Sequence, residues 1–84
     1  MTNKEILKKQ IIYRSMHRGT KELDLLLGSF VKRHIDEFNN AELKDLEKLL
    51  FMEDQVIYNW YFKKDLNNPI PNTKVSAMLK NFKL

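Results

Sequence analysis

Apolar residues along this chain recur at intervals of three and four, and no stretch sustains a period of two. Such intervals put side chains on one face of a helix, so the pattern predicts amphipathic helices around a shared core. The first predicted helix covers residues 3–16. Thr2, with Glu5 three residues on, has the pattern of a capping box, and Ile6, Leu7, Gln10, Ile11 and Arg14 line one side. The second covers residues 20–36, with Leu23, Leu26, Leu27, Phe30, Val31, His34 and Ile35 on its apolar side. Gly28 falls inside it and costs that helix about 1 kcal/mol relative to Ala, unless it marks a close crossing with a neighbour. The third covers residues 40–52, opened by a capping-box pattern at Asn39 and Glu42 and striped by Leu43, Leu46, Leu49 and Leu50. The fourth covers residues 54–63, with Asp54 as the predicted N-cap and Ile57, Trp60 and Tyr61 inward. Residues 67–72, which hold Pro69 and Pro71, form a loop, and a fifth helix follows over residues 73–82 with Val75, Met78, Leu79 and Phe82 inward. Short helices with brief connections predict an all-α fold, a compact five-helix bundle forming a single domain over residues 1–84.

Composition narrows what such a bundle does. Eighty-four residues support one core and leave no mass for a deep cleft between two lobes, which counts against catalysis. There is no cysteine, so disulfides, thiolate chemistry and cysteine metal sites are excluded. No run approaches the roughly 18 apolar residues that cross a bilayer, and no membrane insertion is expected. Residues 1–16 are basic but lack the apolar segment and cleavage site of a secretory signal, so the chain is read as mature and cytoplasmic. The net charge of +4 is spread from Lys4 to Lys83. That dispersal fits a solvated surface better than a nucleic-acid stripe, and no nucleic-acid partner is expected.

Reactive constellations are scarce. His17 and His34 fall on different predicted elements, and His34, on an apolar face, reads as a hydrogen-bonded residue at the edge of the core. Ser15 stands near His17 with no third group to orient a base. Glu53 and Asp54 are adjacent, so their side chains diverge, and they read as a helix start. Trp60, among Tyr58, Tyr61 and Phe62, reads as core rather than as a base-stacking platform. No residue is assigned to catalysis, to a metal or to a stably bound cofactor.

One cluster remains, at the junction of the first two predicted helices: His17-Arg18-Gly19-Thr20-Lys21-Glu22. Read structurally, Gly19 is a positive-φ cap, Arg18 complements the negative end of one helix, and Glu22 the positive start of the next. Read functionally, a bare stretch of backbone lies between two charges, and Arg grips carboxylates and carbonyls bidentately. Such a patch recognises a surface and has no evident means of making or breaking a bond.

The stretch from Tyr13 to Phe30, centred on Arg18-Gly19-Thr20-Lys21-Glu22, resembles the Arg-Gly-x-x-Glu region of the SdhE family, the succinate dehydrogenase flavinylation factors. The resemblance continues through Leu49-Leu50, Asp54, Tyr58-Asn59-Trp60, Val75, Leu79 and Phe82, nearly the whole chain. It implies a five-helix factor that binds the flavoprotein subunit of succinate dehydrogenase, and of fumarate reductase where present. It also implies that the factor promotes covalent attachment of FAD to a histidine of that subunit. FAD then belongs to the client, no cofactor is held stably, and the protein is a monomeric assembly factor, not an enzyme. Carried over by position, Arg18, Gly19 and Glu22 are the signature residues, Gly19 for close approach and the two charges for polar contacts with the client. Arg14, one turn before Arg18, extends the patch, and Tyr13 and His17 flank it. Asp24, off the apolar stripe, reads as structural. Bacterial members often carry Arg where this chain has His17, so that charge is absent here. The competing readings are a nucleic-acid-binding or antitoxin-type regulator, which requires a clustered basic face and steep salt dependence, and a small flavin transferase, which requires a saturable flavin site.

Overall fold

Residues with short oxygen-bearing side chains begin most of the helices, because they satisfy the amide groups that a first helical turn leaves unpaired. The computed structural model describes residues 2–64 and 67–83. Helix α1 spans Asn3–Met16, where Thr2 Oγ1 accepts from the Glu5 N–H at 3.1 Å. Helix α2 spans Lys21–His34 and is capped by Thr20, whose Oγ1 accepts from the Leu23 N–H at 3.3 Å. It ends two residues short of the predicted limit, because the chain tightens into a 3-10 turn at Ile35–Glu37. Helix α3, Asn40–Leu50, opens on the predicted box: Asn39 Oδ1 accepts from Glu42 N–H at 2.8 Å, and Glu42 Oε1 accepts from Asn39 N–H at 2.9 Å. Helix α4 spans Asp54–Phe62, and α5 spans Lys74–Asn81 behind a second reciprocal box of Thr73 and Ser76. Among the described residues there is no strand, and no helix is long and apolar enough to cross a membrane.

α1 lies against α2 and α3, and α3 also carries α5. Leu23, Leu26, Leu27, Phe30 and Val31 of α2 meet Leu43 and Leu46 of α3, Ile57 of α4, and Val75 and Leu79 of α5, all fully buried. Burying each such side chain contributes about 1.5–3 kcal/mol of transfer free energy. Phe30 is ringed by His34, Phe38 and Phe82 at centroid distances of 5.0, 6.3 and 5.4 Å. His34 is the half-buried edge residue predicted, its Nδ1 3.1 Å from Glu37 Oε2. Trp60 is core, and α4 is tied to α5 by the Tyr61 hydroxyl donating to the Phe82 carbonyl and by Lys80 donating to the Trp60 carbonyl. The radius of gyration, 12.1 Å, matches the roughly 12 Å of one compact domain of this length.

Three sequence expectations are corrected. α1 buries Ile11 and Ser15, with Leu7 and Ile12 partly covered, while Ile6, Gln10 and Arg14 are exposed. Its contact line lies between two neighbours and includes a serine, whose hydroxyl is satisfied by donating to the Ile12 carbonyl at 2.7 Å. The N-cap of α4 is Glu53, with no side-chain cap bond, and Asp54 is already helical. Gly28 does not mark a forced crossing: a Cβ there would meet the Met16 side chain at 3.7 Å, an ordinary contact.

Candidate functional site

The bend between α1 and α2 is fixed from within by one arginine. The Arg18 side chain is only 9% exposed, and its guanidinium is surrounded by acceptors. Nε donates to Asp54 Oδ1 at 2.8 Å, and Nη2 lies 2.7 Å from the same oxygen. Nη2 also donates to the Met52 carbonyl at 3.0 Å, and Nη1 to the carbonyls of Leu50 at 2.8 Å and Arg14 at 3.4 Å. Four hydrogen bonds and an ion pair thus hold the fork, an arrangement that a lysine ammonium has neither the donors nor the shape to reproduce. Leu50 closes α3, so Arg18 fills the carbonyl-rich end of α3 as well as reaching back to α1, where a cation is favoured.

Asp54 completes the clasp. Its Oδ2 accepts the Gly19 N–H at 2.6 Å while Oδ1 holds Arg18, and the Arg18 N–H donates to Asp24 Oδ1 at 2.6 Å. The carboxylate expected to cap α4 is instead turned across to the α1–α2 bend. Asp24 has the structural part expected of it. Gly19 is not in the left-handed region, since no glycine of the chain has positive φ, so the positive-φ cap reading is corrected. What requires glycine there is space: a Cβ on residue 19 would stand 2.8 Å from Asp54 Oδ2.

The other predicted residues lie on the outside of this clasp. Gly19, Thr20, Lys21 and Glu22 are exposed, so the bend is open to an approaching surface. Tyr13, 63% exposed, stacks on His17 with centroids 3.8 Å apart and planes 18° apart. His17 Nδ1 is 2.7 Å from the Tyr13 carbonyl, so that nitrogen carries the donated proton. Arg14 lies with its guanidinium carbon 4.0 Å above the centre of the Phe51 ring, itself 60% exposed. Glu22 borders a cleft of about 390 Å³ with Thr20, Asp54, Gln55, Tyr58 and Lys63. The α2 cap belongs to Thr20, and among the described residues the Glu22 carboxylate has no hydrogen-bond or ion-pair partner. The structure therefore groups Arg18 and Gly19 with Asp54, Tyr13 with His17, and Arg14 with Phe51, and leaves Glu22 presented alone. Sequence reasoning missed the part played by Asp54 and the aromatic platform of Phe51, because each reaches the bend from a segment more than thirty residues away.

The model of the family described as flavinator of succinate dehydrogenase matches residues 9–83, which include the bend and all its anchors. The chain belongs to this family. Succinate dehydrogenase assembly factor 2, mitochondrial, of Scheffersomyces stipitis is 42% identical over 77 residues, covering 90% of this chain and 52% of that protein. The FAD assembly factor SdhE of Acetobacter pasteurianus is 36% identical over 73 residues, covering 87% of this chain and 64% of that protein. The assembly factor 2 of Dictyostelium discoideum is 43% identical over 60 residues, covering 71% of this chain and 43% of that protein. The chain thus spans about half the length of the curated relatives it matches. In this member of the flavinator family Arg18 is a nearly enclosed staple, and the surface it shapes carries Gly19 and Glu22.

Proposed function

We propose that this protein is an assembly factor that docks on the flavoprotein subunit of succinate dehydrogenase, and of fumarate reductase where present, and promotes its covalent flavinylation. The family assignment supports the client, and one observation supports the mode of action: an exposed bend whose Glu22 has no partner among the described residues, braced by an arginine with four hydrogen bonds and an ion pair. Arg18 and Asp54 act as positioning residues. Gly19, Glu22, Arg14, Tyr13 and His17 meet the client.

The chemistry stays in the client, which holds the FAD and the histidine that receives it. Bond formation needs both in an attack geometry, and such alignment is worth about 7–11 kcal/mol in favourable cases. A helper gains leverage only by binding the reactive arrangement better than the alternatives, and about 1.4 kcal/mol of preference shifts the population tenfold. A preformed bend suits this, because little of the binding free energy is spent on ordering it. The protein itself acts as a cytoplasmic monomer and contributes neither nucleophile nor resident cofactor.

The test is co-expression of the flavoprotein subunit with and without this protein, followed by denaturing electrophoresis and in-gel flavin fluorescence. Fluorescence at the subunit is expected to rise in its presence. Equal fluorescence in both samples, with the protein folded and abundant, would refute the proposal.

A further inference from the structure

A second feature starts at the bend and runs along α2 away from it. Lys21, Leu25, Gly28 and Lys32 follow one another at spacings of four, three and four residues. On a helix this spacing draws a nearly straight line, and it is the spacing by which one helix seats against another. The line spans about 16 Å at 1.5 Å per residue. Leu25 is 60% exposed although Leu26 and Leu27 beside it are fully buried, and Met16, 45% exposed, walls the groove from α1. The groove holds about 440 Å³ and is lined by Met16, Leu25 and Gly28 between Lys21 and Lys32.

Two observations identify what fits it. Among the described residues neither Lys21 nor Lys32 has an acidic partner, and the one carboxylate at the groove, Asp24, is taken up by the Arg18 N–H. The groove therefore has an apolar middle, the Asp24 carboxylate near one end, and at each end a lysine with no acidic partner among the described residues. A second copy of this chain would bring lysine against lysine in either orientation, so self-pairing is disfavoured. In addition, the fold does not demand glycine at residue 28, where a Cβ would fit, yet glycine weakens the middle of a helix. Gly28 is itself buried at the floor of the groove, and its missing side chain keeps that floor low.

We propose that this face of α2 seats an amphipathic helix of the partner protein. That helix would have apolar residues over Leu25 and Gly28 and carboxylates about three turns apart opposite Lys21 and Lys32. The inference rests on the reading of this protein as a factor that docks on a flavoprotein, and it extends the contact surface from the bend along α2.

Binding of the full chain to the purified flavoprotein subunit tests it, with four proteins compared: the natural chain, Glu22→Gln at the bend, Leu25→Asp in the groove, and Lys32→Glu at the groove end remote from the bend. Both groove variants alter exposed side chains, and circular dichroism checks that the fold is kept. Each groove variant is expected to weaken binding roughly tenfold or more, as truncating an apolar anchor does. A photo-crosslinker placed at residue 25 is expected to mark an acidic amphipathic helix of the subunit. If Glu22→Gln weakens binding while both groove variants bind normally, the groove proposal is overturned and the docking function stands. If the natural chain fails to bind the subunit at all, both fall. Loss of binding to phosphatidylglycerol vesicles by the groove variants, with subunit binding unchanged, would reassign the face to a lipid surface and overturn the proposal.

Discussion

Arg18 shows how a residue read as a contact becomes a brace. Its side chain is nearly enclosed, and replacing it leaves the Leu50 and Met52 carbonyls and Asp54 Oδ1 without the donor Arg18 supplies. Breaking a buried pair costs about 3–5 kcal/mol, and the partial exposure of Asp54 brings the expectation for Arg18→Ala to about 2–4 kcal/mol. Arg18→Lys is expected to recover little of this, because the fork is lost. Thermal unfolding of both variants checks the point, and a melting temperature for Arg18→Lys close to the natural one would contradict it. Gly19→Ala is expected to cost about 1–3 kcal/mol by overpacking, since the intruding Cβ meets a carboxylate held on both sides. Larger substitutions such as Gly19→Arg therefore disturb the fold of the bend as well as its approach to a client. Glu22→Ala separates the two readings of that residue. With Thr20 already serving as the cap, its melting temperature is expected to stay within a few degrees while affinity for the flavoprotein subunit falls. A marked drop in melting temperature with unchanged affinity would make Glu22 a structural residue.

At the scale of the helix, two expectations follow from local geometry. Gly28 lies mid-helix in α2, and an added methyl meets only Met16 at ordinary distance. Gly28→Ala is expected to stabilise the protein by about 0.5–1 kcal/mol, visible as a rise of several degrees in melting temperature. The α3 capping box has a charge in it. The Asn39 N–H, and then the Lys74 ammonium 3.2 Å away, hold the Glu42 carboxyl below its ordinary value of 4.5. A carboxyl with a lowered folded-state pKa contributes stability that is fully present above its unfolded value and is lost as pH falls through the folded one. Denaturant titrations of the natural protein and Glu42→Gln should therefore converge in acid and separate above about pH 5. A difference that persists unchanged into strong acid would contradict this assignment. Much of this scale was legible from the sequence: the caps at Thr2 and Asn39, and the stripes of α2 and α3, are local patterns within a few residues, whereas Thr20 and Thr73, read as first helical residues, are caps. α1 was less legible, because its weak apolar pattern was resolved by two packing partners and by a serine that no hydrophobic count selects.

For the molecule as a whole, family membership and the open bend point to one function, and the bend joins segments distant in the chain. Apolar spacing and capping residues by themselves determined the helices and the all-α class, because each is written in neighbouring positions, and the order Arg18-Gly19-Glu22 together with the downstream pattern to Phe82 carried the family resemblance. Only the tertiary structure decided that Asp54 reaches across to Gly19 and Arg18, that Arg18 faces inward, and that Glu22 has no partner among the described residues. Those outcomes depend on which helix ends are brought together by burial of the core. Competition among acceptors for a single guanidinium is settled by distance in space, which spacing along the chain does not record.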